Sequence, residues 1–70
     1  MVLHIELDRE DDGRWIAEVL ELVGVMVYAS SREEALRHVQ VLALHALADQ
    51  LQNGEVALEP TIAFEAVEAA

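Results

Sequence analysis

The sequence predicts a small α+β domain in the order β-β-β-α-β: an antiparallel three-stranded sheet, one long helix packed on one face, and a last strand. Three observations carry this reading. Residues 2–8 alternate apolar and polar with the period of two that marks a half-buried strand. Residues 31–52 hold apolar positions at helical spacing behind a Ser-x-x-Glu start. The remaining stretches are strand-length, rich in β-branched or aromatic residues, and bounded by Asp-Gly, Val-Gly and Asn-Gly pairs. With 70 residues, no repeat and no linker, residues 1–70 form a single domain.

In the first strand Leu3, Ile5 and Leu7 share one face, and His4, Glu6 and Asp8 the other. "REDDG" then reads as a hairpin turn, because Asp-Gly tolerates the positive φ that such a turn requires. A second strand covers Arg14 to Leu20. With Glu18 facing out, Trp15, Ala17 and Val19 fall on the buried face. "ELVG" connects to a third strand, Val25 to Ala29, whose facing stays open: Val25/Val27 and Met26/Tyr28 are both plausible core pairs.

Ser31-x-x-Glu34 is a capping box, and Glu33 and Glu34 suit the positive end of the helix dipole. The helix is expected to run to about Gln52 and stop at Asn53-Gly54. Leu36, Val39, Ala43, Ala46, Leu47 and Leu51 form the stripe expected on the sheet. Val41, Leu44 and Ala48 lie roughly 80–140° round from Leu36 and widen the apolar arc. That leaves a narrow polar strip of His38, His45, Asp49 and Gln52. After "EVALEP", where Pro60 interrupts regular pairing, a last strand covers Thr61 to Val67, with Ile62, Phe64 and Ala66 on one side.

Composition narrows the function classes. Fourteen acidic residues face four arginines, giving a net charge of −10. A nucleic-acid binder carries a basic patch, and this chain has none, so direct nucleic-acid binding is not expected. A field of this sign attracts a basic protein and speeds its encounter. The absence of cysteine removes disulfides and cysteine-ligated zinc. The expected setting is cytoplasmic and away from membranes: no apolar run is long enough to span one, and "MVLHIELD" is unlike a signal peptide. A domain this small usually needs reinforcement. The broad apolar arc on its helix therefore predicts a homo-oligomer, dimer or tetramer, with Val41, Leu44 and Ala48 at the interface.

"DDGRWIAEVLELVGV", Asp11 to Val25, followed by "YASSREEAL", Tyr28 to Leu36, resembles the HicB-like antitoxin family. Those proteins have an acidic glycine turn, an aromatic strand, a P-x-L-P-G-like turn, a third strand and a step into T-x-E-E-A. Here Leu22 and Gly24 match the turn, and Ser31, Glu33, Glu34 and Ala35 match the last motif. Leu20 and Val23 stand where the family has its two prolines. The resemblance covers nearly the whole chain and implies a partial RNase H-like fold without catalysis. It also implies a basic partner, the HicA-type mRNA ribonuclease that such antitoxins neutralise. Many members carry a C-terminal DNA-binding module; no such motif follows the last strand here.

A residual two-metal nuclease would need several converging acids. Asp11 and Asp12 are explained by the turn, and Glu6, Asp8 and Glu18 are expected on a wet sheet face. His38 and His45 are about 10 Å apart along the helix, too far for one ion within a single chain. Ser30 and Ser31 belong to the helix cap, and no glycine pattern cradles phosphate. No catalytic residue, metal or cofactor is therefore expected. The expected partner-binding residues are Glu6, Ile16, Glu18, Leu20 and Glu21, with Trp15 or Tyr28 as further apolar anchors. The rival expectation is a stand-alone oligomeric scaffold or regulatory protein with no toxin partner.

Overall fold

A computed structural model describes residues 1–55 and 61–68. Residues 56–60, and with them the expected interruption at Pro60, lie outside the described residues. The elements are β1 (Val2–Arg9), β2 (Trp15–Val19), β3 (Met26–Ala29), α1 (Arg32–Gln52) and β4 (Ala63–Glu68). They form one four-stranded sheet, ordered β3-β2-β1-β4, with the helix on one face.

The β1–β2 and β2–β3 pairs are antiparallel, whereas β4 runs parallel to β1, so the sheet is mixed. Both antiparallel pairs follow short turns. In the first turn the Gly13 N–H donates to the Glu10 carbonyl and the Glu10 N–H to the Arg14 carbonyl. Gly13 has φ +90°, a conformation that L side chains resist. A parallel neighbour needs a crossover, which α1 supplies by carrying the chain past β2 to the far side of β1.

Among the described residues the core is wholly apolar. Leu3, Ile5 and Leu7 of β1, Ala17 and Val19 of β2, and Leu22, Val25 and Ala29 meet Ala35, Val39, Ala43 and Leu47 of α1. Trp15, Val27, Leu36, Ala46, Ile62 and Phe64 pack around that cluster. The open question of the third strand is thereby answered: Val25 and Val27 face inward, and Met26 and Tyr28 are exposed. Fully burying a leucine or isoleucine contributes about 1.5–3 kcal/mol. Leu3, Ile5 and Leu7, each at most 2% exposed, therefore anchor the sheet.

Two expectations on facing change. Leu51 was expected in the buried stripe but is exposed. The buried positions advance by four, 35-39-43-47, and each such step turns about 40° around the helix. By Leu51 the seam has left the sheet. Ala35, absent from the expected stripe, is fully buried. Phe64 and Ala66 share one side, as expected, opposite Leu3 and Ile5 in the β1–β4 register, although Ala66 is exposed. The helix packs chiefly over β2 and β3, less over β1, and β4 is an edge strand.

Both helix ends are satisfied. Ser31 is extended and its hydroxyl accepts from the Glu34 N–H at 3.1 Å. At the other end the Gly54 N–H donates to the Leu51 carbonyl and the Glu55 N–H to the Gln50 carbonyl, with Gly54 at φ +73°. This is a glycine stop of the Schellman type.

Candidate protein-docking face

Because α1 covers one side of the sheet, the other side is open, and the strand registers fix what it displays. Glu6 pairs with Glu18, Asp8 with Ile16, Ile16 with Tyr28, and Glu18 with Met26. On the other flank Val2 pairs with Ala63, His4 with Glu65, and Glu6 with Val67. One row across the sheet therefore reads Met26–Glu18–Glu6–Val67, and the next reads Tyr28–Ile16–Asp8. Met26, Tyr28 and Val67 are exposed and Ile16 is half-buried. The face has an acidic middle with apolar side chains on both flanks.

Glu6 and Glu18 sit directly opposite each other, an arrangement of like charges that destabilises a sheet. Neither makes an ion pair among the described residues. No arginine pairs with either of them among the described residues. Arg14 binds Asp12 in the hairpin, Nε to Oδ2 at 2.7 Å, and lies 4.7 Å from the centre of the Tyr28 ring. Arg32 pairs with Glu68, tying the start of the helix to the end of β4.

Leu20 and Glu21 follow the last residue of β2. The Leu20 N–H donates to the His4 carbonyl at 3.0 Å, extending the ladder one step. Proline, which the resemblance would put there, has no N–H to give. Val23, at the other proline position, is fully exposed. Glu21 bends back over β1: one oxygen accepts the His4 N–H at 2.7 Å, and the other lies 2.6 Å from the His4 ring Nδ1. This carboxylate replaces the ladder acceptor that β2 no longer provides. The bond to Glu21 holds the His4 imidazole above its usual 6.5, with Glu65 adding to the effect. The His4 backbone N–H, followed by the ring, lowers the pKa of Glu21.

Of the expected docking residues, Glu6, Ile16 and Glu18 are neighbours on the open face, and Leu20 is exposed beside His4. Glu21 stands at the rim, engaged by His4. Trp15 is not on this face; it packs against the core beside Arg9. Met26, Val67 and Glu65 complete the surface and were not singled out from sequence. Their contribution depends on β3 facing and on β4 lying parallel to β1, although the Glu65/Val67 alternation was a usable signal.

In the hairpin Asp12 has structural work. Asp12 accepts the Arg14 N–H at 3.0 Å as well as its guanidinium, and these bonds, the backbone one foremost, keep its carboxyl below the usual range. Among the described residues, no three histidine, aspartate or glutamate side chains are grouped to hold a metal ion. No described helix is long and apolar enough to cross a membrane. No family model matches the chain, and no curated protein or solved structure is significantly similar to it.

Proposed function

We propose that this chain is a non-enzymatic protein-binding module of the HicB-like antitoxin type. It neutralises a small basic HicA-type mRNA ribonuclease, in the cytoplasm, by covering the surface that binds RNA. The observation that carries this reading is the open sheet face, where Glu6 and Glu18 face each other without a described cation between apolar flanks. A guanidinium or ammonium group from a partner would relieve that repulsion. Ile16, Tyr28, Met26 and Leu20 would supply the buried centre that interfaces need alongside a polar rim. The chain's net charge of −10 would steer a basic partner into contact.

The test is co-expression with a basic, ribonuclease-like protein from the adjacent reading frame. Restored growth and co-purification are the expected results; persistent toxicity without co-purification rejects the reading. A second reading, a stand-alone oligomeric scaffold, is favoured by the exposed apolar side of α1. A neighbouring frame that encodes no small basic protein would favour the scaffold.

A further inference from the structure

Helix α1 has two apolar sides. Ala35, Val39, Ala43 and Leu47 are buried against the sheet. Away from it, Val41, Leu44 and Leu51 remain 50%, 48% and 48% exposed, with Ala48 exposed between them. Val41, Leu44 and Ala48, with His45 at the margin, line an open groove of about 340 Å³.

We propose that this groove is the seam of a homodimer, in which two copies of α1 pair antiparallel about a two-fold axis beside Ala46. The spacing selects a helix as the occupant. Val41, Leu44, Ala48 and Leu51 follow one another by three, four and three residues, the repeat that keeps a seam facing a second helix. Antiparallel pairing layers Val41 on Leu51 and Leu44 on Ala48, so each small residue receives a large one and four layers form by symmetry. Parallel pairing would oppose Ala48 to Ala48, leaving a gap, and Arg37 to Arg37.

Charge selects the same orientation. The first turn of α1 holds Glu33 and Glu34, and the last turn holds no basic residue. Arg37 has no ion-pair partner among the described residues. In the antiparallel register Arg37 of each copy lies against the uncompensated C-terminal end of the other helix. There Glu55 is folded back by its N–H bond to the Gln50 carbonyl, 2.8 Å long. A cation at a helix C-terminus is favourable. Repulsion between two chains of charge −10 is screened beyond roughly 8 Å at physiological salt.

Sedimentation equilibrium of the full chain at physiological salt is the first test. The mass should rise from 7.8 kDa towards twice that value with concentration. Leu44→Glu, at an exposed position, should keep the helical circular dichroism and stay a single chain. For register, the chain has no cysteine of its own. Val41→Cys mixed with Leu51→Cys should form an interchain disulfide on oxidation. Val41→Cys alone should not, because antiparallel pairing sets those positions about 15 Å apart, beyond the roughly 7 Å that a disulfide spans. A single-chain mass up to millimolar concentration, a dimer indifferent to Leu44→Glu, or efficient Val41→Cys self-linkage would each overturn the proposal.

Discussion

Glu6 and Glu18 face each other across the β1–β2 ladder, on the side of the sheet that the helix leaves open. Directly opposed like charges weaken a strand pair. Glu18→Gln is therefore expected to stabilise the isolated chain by a few tenths of a kcal/mol, within the range measured for cross-strand pairs. Urea unfolding at low and high salt checks this, because the gain should shrink as salt screens the repulsion. Destabilisation at low salt would mean that Glu18 has a partner in the folded chain.

The His4–Glu21 pair gives a pH-dependent contribution with a definite sign. Glu21 is lowered from 4.5, so its share is present above that value and lost as pH falls through the folded pKa. His4 is raised from 6.5, so its share is complete below 6.5 and lost as pH rises through the folded pKa. The pair stabilises most between about pH 4.5 and 6.5. Histidine proton chemical shifts should show His4 titrating above 6.5, and Glu21→Gln should bring it down. A His4 titration unchanged by Glu21→Gln would contradict the geometry.

Much of this fold is legible in the chain because local and tertiary demands agree. The alternation of Leu3, Ile5 and Leu7 needs only one covered face, and Ser31 needs only a helix start; both are as read, although the Glu34 carboxylate accepts from the Ser30 hydroxyl. The facing of β3 was undetermined because both of its side-chain pairs are apolar. The Ile16–Tyr28 and Ala17–Val27 register decides it. The direction and neighbour of β4 depend on where α1 delivers the chain, which no local pattern encodes. The open face was half legible for the same reason: Glu6, Ile16 and Glu18 came from alternation, whereas the placing of Val67 and Glu65 beside them required the β1–β4 pairing.

Stability should respond most at the centre of β1. Leu7 is fully buried, and Leu7→Ala is expected to cost about 2–5 kcal/mol, a large share of what so small a domain has. Ser31→Ala removes the hydroxyl that accepts the Glu34 N–H and should cost about 1 kcal/mol. Thermal or urea melts rank the two; a milder effect at Leu7 than at Ser31 would show that the core is wrongly assigned.

The central claim is that the open acidic face docks on a basic protein. Its most direct test is calorimetric titration of the chain against the basic ribonuclease-like product of the neighbouring reading frame, comparing the native sequence with Glu6→Lys/Glu18→Lys. The account predicts binding that weakens with salt and falls at least about tenfold, roughly 1.4 kcal/mol, in the double variant. Absence of binding, or an affinity that the two reversals leave unchanged, would contradict it.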